Sequence, residues 1–443
     1  MTGLFSWQRS AQIGLAYLYL TLFTSFARGL PTTDSGLTGS RAVSDKEPWW
    51  SKYLTSNLPS LAGPPRGSNQ AKIGLGYAPD SDSPRRVVVD LDPYPALGKP
   101  RNTFRPDDTF KITVFSDLHF GEGPEVDWGP EQDRNSTRLM KTVLREEQPD
   151  YVVLNGDLIT GENTFRENST TLIDQIVAPL NAAGVAFSST HGNHDNDVNI
   201  THIEEIIQEQ KLAPLSYTRT ASSSIGGKRG PGNYWVPVYQ SQLDPAPVLI
   251  LWFFDSRGGI YPDGNAGTKP IPDWVDASVA DWIQSESALM EAAWGPDTQR
   301  SAMAFMHIPP YAIKVVQAKL DSSKNPGQNA DYLGRGSVQA SMDPNSVGND
   351  EPFWDAVSKI KNLRAVISGH DHGNEWCARE PTKDVVFCFD KHSGYGGYSD
   401  SGWGHGVRNI VFKTSRPDAS IDTWIRLEDG DIRARVALED VSE

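Results

Sequence analysis

The sequence has few cysteines, no excess of positive charge and only one long apolar run. Its 443 residues include 2 cysteines, and they are not spaced as the Cys-x-x-Cys pair of a structural zinc site. Acidic residues outnumber basic ones, 56 to 41, for a formal net charge of −15. Because nucleic acids are bound through basic surface, this balance argues against a nucleic-acid partner. The length allows one large domain or two ordinary ones.

The long apolar run lies at the N-terminus and is typical of a secretory leader. Arg9 provides the positive start, the apolar stretch 11–26 follows, and Ala27 and Gly29 have the small side chains that precede a cleavage site. The alternative is an uncleaved anchor, since the run is near the lower length limit for spanning a bilayer. We predict a signal peptide over residues 1–29 and no stable membrane insertion after its removal.

Two further features favour export. Asn135, Asn168 and Asn199 begin N-glycosylation sequons in polar regions that we expect to face solvent. Cys377 and Cys388 flank a short segment and would form a disulfide in an oxidising compartment, whereas reduced core cysteines are the alternative. Together these features predict a glycoprotein of the secretory pathway. The expected destination is extracellular, with the vacuole and the endoplasmic reticulum as alternatives.

Composition divides the rest of the chain into two parts. Residues 30–105 are rich in Pro, Gly, Ser and Asp, which predicts a loosely ordered lead-in. In residues 106–443, short apolar runs alternate with amphipathic segments, and two strand-like runs meet near the C-terminus at Asp429-Gly430, a hairpin signal. This alternation predicts a layered α/β domain in which helices cover two packed sheets.

The predicted strands and helices alternate along this domain. The strands are Lys111–Ser116, Tyr151–Asn155, Val185–Thr190, Val248–Phe254, Ala302–Met306 and Ala365–Ser368, followed by Ile421–Leu427 and Asp431–Leu438. The helices are Thr137–Glu147, Thr170–Ala183, Ile203–Leu212, Trp274–Ala293 and Phe353–Lys361.

Nearly every predicted strand is followed at once by residues of the kinds that bind metals. The blocks are Asp117-Leu-His119, Gly156-Asp157, His191-Gly-Asn193-His194-Asp195, His307-Ile-Pro-Pro and Gly369-His370-Asp371-His372. Since strand ends converge on one edge of an α/β sheet, five segments bring Asp, Asn and His side chains to one rim. These ligand types suit first-row transition metals. Two neighbouring ions need a bridging carboxylate, for which Asp157 is the natural candidate.

This ordered series of blocks resembles the calcineurin-like metallophosphoesterase superfamily, over roughly Phe110 to the C-terminus. The resemblance implies an αββα sandwich of two packed mixed sheets with two metal ions (Fe, Zn or Mn) at the strand ends. One ion would bind Asp117, His119, Asp157 and His372. The other would bind Asp157, Asn193, His307 and His370. His194 matches the histidine that contacts substrate and protonates the leaving oxygen, and Asp195 is expected to orient it.

A narrower resemblance is to fungal and plant phosphatases related to purple acid phosphatases. The segment His392-Ser-Gly-Tyr-Gly-Gly-Tyr398 and the His307-Ile-Pro block carry it. Purple enzymes have Asp-x-Gly in the first block and a tyrosine ligand three residues after the bridging aspartate. This chain has His119 and Thr160 there, so the resemblance implies a protein that is not purple. It also removes the grounds for expecting an Fe(III) requirement or a strongly acidic optimum.

The resemblance implies a phosphatase that hydrolyses phosphate monoesters, of phosphoproteins or of small phosphorylated metabolites, with a hydroxide that the metals generate from water. A phosphodiesterase on the same site is the alternative. A non-catalytic binding protein is a third hypothesis, and it would be favoured by a missing ligand, which this sequence does not show.

Several polar residues outside the blocks have weaker patterns. His191 is interpreted as structural or adjacent to the ligands, and His202 as solvent-facing at a charged helix start. His392 and His405 are candidates for a wall of the active site, with a tight turn as the alternative. Residues 321–350 form a long polar stretch that is interpreted as a specificity loop, with disorder as the alternative, and its arginine, Arg335, is a candidate phosphate contact.

Overall fold

The computed structural model of the protein describes residues 91–264 and 267–441, and the structural statements below concern those residues. The predicted signal peptide, residues 1–29, and the lead-in as far as residue 90 lie outside them.

Fifteen strands and six α-helices are found in the described ranges. The strands are β1 (Asn102–Thr103), β2 (Phe110–Phe115), β3 (Tyr151–Asn155), β4 (Ala186–Thr190), β5 (Tyr234–Tyr239), β6 (Leu249–Phe253), β7 (Ile260–Pro262), β8 (Thr268–Pro270), β9 (Ser301–Phe305), β10 (Leu363–Ser368), β11 (Cys377–Glu380), β12 (Val385–Phe389), β13 (Gly406–Phe412), β14 (Ile421–Leu427) and β15 (Ile432–Ala437). The helices are α1 (Trp128–Glu147), α2 (Thr171–Ala183), α3 (His202–Leu212), α4 (Ser278–Trp294), α5 (Ile313–Gln317) and α6 (Glu351–Val357).

Two mixed sheets form the centre of the fold. The seven-stranded sheet has the order β1-β5-β6-β9-β10-β12-β11, and the six-stranded sheet has the order β15-β14-β13-β2-β3-β4. Strands β6, β9, β10 and β12 are parallel in the first sheet, and β2, β3 and β4 are parallel in the second. The parallel strands of each sheet therefore end together at one edge.

Three apolar layers hold the sheets and helices together. The alternation of side chains along β3 contributes to two of these layers. Val153 points into the layer between the two sheets, whereas Val152 and Leu154 point to the opposite face. There they pack with α1 and α2, whereas α4 and α6 cover the outer face of the seven-stranded sheet. Layers of helix, sheet, sheet and helix confirm the predicted αββα sandwich.

The last part of the predicted lead-in belongs to the folded domain. Strand β1 pairs in parallel with β5, with Asn102 opposite Val238. Tyr94 is 1% exposed, and its hydroxyl lies 2.9 Å from the carbonyl oxygens of both Tyr217 and Trp235. Buried aromatic anchors thus order residues 91–105 despite their Pro- and Gly-rich composition, and the prediction for residues 30–90 lies outside the described ranges.

Cys377 and Cys388 form the predicted disulfide. They lie opposite each other on the antiparallel strands β11 and β12. Of the three sequon asparagines, Asn168 is exposed, whereas Asn135 and Asn199 are half-buried. Secretion and glycosylation stay predictions. None of the helices in the described ranges has the length and apolar character to cross a bilayer.

Candidate metal centre

The predicted ligands follow the strands that end together at one edge of each sheet. Asp117 and His119 follow β2, Asp157 follows β3 and Asn193 follows β4. From the other sheet, His307 follows β9, and the pair His370 and His372 follows β10. The two edges meet here, because the backbone N–H of His370 donates to Asp117 Oδ1 at 3.1 Å.

The structure brings these side chains together as two groups. The ligand atoms within each group all lie within 4.8 Å of one another, and the groups are Asp117, His119 and His372, and Asp157, His307 and His370. Asp157 connects them, since its Oδ2 lies 2.8 Å from His307 Nε2 and 3.9 Å from His119 Nε2. Its position between the groups is the one that a bridging carboxylate requires.

Each of the four histidines has one ring nitrogen fixed by the protein. The fixed pairs are His119 Nδ1 with Thr160 Oγ1 at 2.9 Å, His307 Nδ1 with the Asn155 carbonyl at 2.8 Å, His370 Nε2 with the Gly336 carbonyl at 2.7 Å, and His372 Nδ1 with the Tyr398 carbonyl at 2.6 Å. The second nitrogen of each ring is thereby left for a ligand, as in metal-binding histidines.

Several of the remaining atoms are buried without a hydrogen-bond partner, namely His119 Nε2, His370 Nδ1 and Asn193 Oδ1. An unsatisfied buried polar atom costs about 1–3 kcal/mol, so one such nitrogen in each of the two groups indicates a ligand-binding site. Burial lowers the pKa of His119 to about 3 and that of His370 to about 4, which keeps both rings neutral. Neutral imidazole, carboxylate and amide oxygen form a donor set that fits first-row metal cations.

The backbone at the ligands is strained. Asp117, His119, Asp157 and His370 have φ values of 53°, 48°, 47° and 78°, in the left-handed region that non-glycine residues rarely adopt. Such conformations persist where the surrounding structure imposes them, and they cluster at functional sites. The strain turns each side chain sharply away from its strand and toward the centre.

Gly192 allows two of the ligand segments to approach closely. A Cβ atom added at this position would lie 2.3 Å from Asp157 Oδ1 and 2.4 Å from His307 Cδ2. Any side chain here would therefore displace the central carboxylate.

His194 lies at the rim of the centre and is held by two carboxylates. Its Nδ1 lies 2.8 Å from Glu162 Oε1 and 3.7 Å from Asp197 Oδ2. Burial disfavours the charged ring, but Asp157, Glu162 and Asp197 outweigh it and raise the pKa of His194 to about 10. The ring is consequently protonated at neutral pH, as a proton donor must be.

Asp195 does not orient His194, contrary to the prediction. Its Oδ1 accepts the backbone N–H groups of Leu158 and Ile159 at 2.8 and 2.9 Å, and its Oδ2 accepts that of Gly192 at 2.8 Å. With both oxygens occupied by backbone, Asp195 ties together the loops that carry Asp157 and Asn193. The sequence reasoning missed Glu162 and Asp197, because neither belongs to a block that marks it.

The prediction that His202 faces solvent is wrong. The ring is 1% exposed, with Nδ1 2.9 Å from Asp255 Oδ2 and Nε2 2.8 Å from the Gly192 carbonyl. It therefore supports the Gly192 turn from behind. His191 is buried beside it, with ring centroids 5.2 Å apart, a position that agrees with a structural role.

The segment after β12 packs against His372. The His392 ring lies behind this ligand, with Nδ1 2.7 Å from the His372 carbonyl. Tyr398 stacks on the His372 ring at a centroid distance of 4.0 Å. His405 instead stacks on Tyr395, at 3.8 Å. Tyr398, rather than His392 or His405, forms a wall of the site.

A cleft of about 450 Å³ opens over the two ligand groups. His194 and Tyr398 line it, and so do Arg335 and Ser337 from the polar stretch 321–350. That stretch also supplies the Gly336 carbonyl that fixes His370. The structure thus places Arg335 at the cleft, where a substrate could reach it.

Replacing Thr160 with valine is expected to weaken metal binding roughly 10- to 100-fold, because His119 loses the hydroxyl that fixes its ring. Titration of metal-depleted protein with Zn²⁺ or Mn²⁺ measures the effect. Thr164→Val is a matched control, since this hydroxyl is also buried but donates to the Gly161 carbonyl. Equal affinities for Thr160→Val and the unsubstituted protein would show that the hydroxyl has no positioning role.

Comparisons with known proteins agree with this geometry. Residues 110–374 match the family model described as calcineurin-like phosphoesterase. "Probable inactive purple acid phosphatase 28" of Arabidopsis thaliana is 27% identical, with 74% of this chain and 82% of that protein aligned. "Phosphatase DCR2" of Saccharomyces cerevisiae is also 27% identical, over 72% of this chain and 54% of the yeast protein.

Among solved structures, a dimetal phosphatase from Danio rerio aligns with a TM-score of 0.45 and 13% identity, covering 74% of this chain and 98% of that chain. Purple acid phosphatase PPD1 from yellow lupin (Lupinus luteus) aligns with a TM-score of 0.43 and 12% identity, covering 74% of this chain and 53% of that one.

Proposed function

The chain belongs to the calcineurin-like phosphoesterase family, and we propose that it is a dinuclear metal-dependent phosphatase acting on phosphate monoesters. The observation that carries this proposal is the pair of adjoining ligand groups with Asp157 between them. A single ion would use one group and leave the other group's buried nitrogen atoms unsatisfied, so the donor set favours two ions.

In the proposed centre, the Asp117 group would hold one ion, and the His307 group together with Asn193 would hold the other, with Asp157 available to both. Such ions, when bound, would supply a nucleophile from water near neutral pH and offset the charge of the phosphoryl oxygens. Iron, zinc and manganese all suit these donors. Elemental analysis of the purified protein identifies the ions, and a centre holding a single ion per chain would contradict the dinuclear proposal.

His194 is the proposed proton donor to the leaving alcohol. Its Nδ1 is occupied by Glu162, so Nε2 is the ring nitrogen that remains for substrate. Glu162 and Asp197 keep the ring charged and limit its rotation. Donation of this proton matters most for alkyl esters, whose leaving groups are poor.

Retention of the complete donor set supports an active enzyme. Curated relatives include proteins named as probably inactive, and those names describe the relatives. In this chain Asp117, His119, Asp157, Asn193 and the three remaining histidines are all present, and all of them except Asn193 form the two adjoining groups. The non-catalytic hypothesis has no missing residue to support it.

The test compares p-nitrophenyl phosphate with bis-p-nitrophenyl phosphate on metal-loaded protein. These substrates share a leaving group, so the ratio of their kcat/KM values reports whether the site prefers a phosphate monoester or a diester. We expect the monoester to be preferred by about tenfold or more, since an added aryl group replaces an oxygen that the ions would otherwise hold. A preference for the diester would replace the phosphatase proposal by a phosphodiesterase, and metal-depleted protein is the blank.

A further inference from the structure

We propose that Arg335 forms a subsite for a second anionic group of the substrate, carried by the alcohol portion of the phosphate ester. This inference rests on the proposed phosphatase function. It narrows the substrate class to phosphate monoesters that bear a carboxylate or another phosphate near the scissile group.

The position of Arg335 is fixed relative to the metal centre. The next residue, Gly336, accepts a hydrogen bond from His370 Nε2 at 2.7 Å through its carbonyl oxygen. Farther back in the same stretch, Asp331 Oδ2 accepts the Tyr398 hydroxyl at 3.0 Å and the Gly373 N–H at 2.8 Å. The stretch is therefore attached to the segment that carries His370 and to Tyr398 on the wall of the cleft, and Arg335 is not on a free loop.

The guanidinium group of Arg335 is oriented but not neutralised. Its Nε donates to the Met342 carbonyl at 2.6 Å. Its two terminal amino groups make no hydrogen bond or ion pair with the part of the chain that the structure describes. In a chain with 56 acidic and 41 basic residues, an arginine held at a cleft without a carboxylate partner is available for an anion from solution.

We place this anion on the alcohol portion of the substrate because other groups of the cleft already serve the scissile phosphate. The ligand groups and His194 form the part of the cleft where phosphoryl transfer would occur. Among the cleft-lining residues of the described chain, Arg335 is the only lysine or arginine. A guanidinium that keeps both terminal amino groups free binds a planar carboxylate or a phosphate through two parallel hydrogen bonds.

The experiment uses two aryl phosphates that differ in charge but hardly in size, 4-carboxyphenyl phosphate and 4-carbamoylphenyl phosphate. The measured quantity is the ratio of their kcat/KM values on metal-loaded protein at low ionic strength. We expect the Arg335→Ala substitution to lower this ratio by about fivefold, as befits a partly exposed ion pair. Arg335→Lys should keep part of the preference, because the charge remains but the planar fork is lost.

Arg416→Ala is the matched control for the loss of one positive charge. The Arg416 side chain is 72% exposed, and its nearest carboxylate, on Asp418, is 4.0 Å away. An unchanged ratio in Arg416→Ala excludes a general charge effect. The same comparison with 3-carboxyphenyl and 3-carbamoylphenyl phosphate tests whether the subsite accepts a charge at a different position on the ring. A comparison of p-phenylene bisphosphate with 4-carboxyphenyl phosphate shows whether the subsite prefers a phosphate or a carboxylate.

Three results would overturn the inference. The first is that Arg335→Ala leaves the individual kcat/KM values of the charged and the neutral substrate unchanged in both series. The second is an equal loss on the charged and the neutral substrate, which would place Arg335 on the scissile phosphoryl group. The third is a failure of the unsubstituted, metal-loaded protein to hydrolyse even the neutral ester, which would overturn the proposed phosphatase function itself.

Discussion

Asp157→Asn is expected to lose both metal ions together and to lower turnover by at least about a thousandfold. The carboxylate lies between the two ligand groups, so its removal takes a ligand from each ion at once. It also accepts the backbone N–H of His194 at 2.9 Å and thereby helps to hold the proton donor. The amide keeps the shape of the side chain but cannot bridge as an anion.

Metal content by mass spectrometry and turnover of p-nitrophenyl phosphate measure this effect. Asp390→Asn is the matched control, because Asp390 is a buried carboxyl that bonds Asn155 Nδ2 at 2.6 Å and lies in neither ligand group. Circular dichroism confirms that both variants fold. Retention of one tightly bound ion by Asp157→Asn would show that the carboxylate serves one metal only.

His194→Gln is expected to keep both metals and to slow hydrolysis of alkyl phosphates by about 100- to 10,000-fold. The loss should be much smaller for p-nitrophenyl phosphate, whose leaving group departs without a proton. The polar contacts of the side chain are with Glu162 and Asp197. It packs edge-on against the His119 ring at a centroid distance of 5.0 Å but belongs to neither proposed ligand group, so we expect metal binding to survive its replacement. The dependence of kcat/KM on leaving-group pKa separates this role from a purely structural one.

Two neighbouring substitutions sharpen the test. Glu162→Gln should reproduce the pattern of His194→Gln in weaker form, because the ring keeps its proton less firmly and turns more freely. Asp195→Asn should instead lower metal affinity, since its carboxylate holds the backbone of the ligand loops. If His194→Gln slowed alkyl and nitrophenyl esters equally, proton donation by His194 would be ruled out.

Much of the fold could be predicted because its central strands are buried on both faces. Strand β6 and the first four residues of β3 are continuous apolar runs, and such runs are recognisable without knowing their neighbours. Strand β13 escaped prediction, because Arg408 and Asn409 within it are polar yet fully buried. Arg408 is satisfied by carbonyl oxygens such as that of Phe389, which no local pattern reveals.

The site was predictable to the extent that its residues follow strands. The ligand side chains come from short blocks whose residue types state their chemistry. The groups that position these ligands have no such sequence pattern. Gly336 and Tyr398 act through backbone carbonyl oxygens, which every residue possesses. Glu162 contacts His194 across 32 positions of sequence. His202 was predicted to face solvent because α3 begins with charged residues, and that charged start does not reveal which side of the helix is buried.

The left-handed backbone at Asp117, His119, Asp157 and His370 has an evolutionary consequence. Each such conformation costs roughly 1–2 kcal/mol, less for Asp and His than for bulkier residues, and a glycine would adopt it without that penalty. A mutation that replaces one of these ligands with glycine can therefore raise the stability of the folded protein. Relatives that are no longer under selection for catalytic activity would therefore readily become inactive proteins that still fold well. A laboratory selection for thermal stability alone would enrich the same inactive variants.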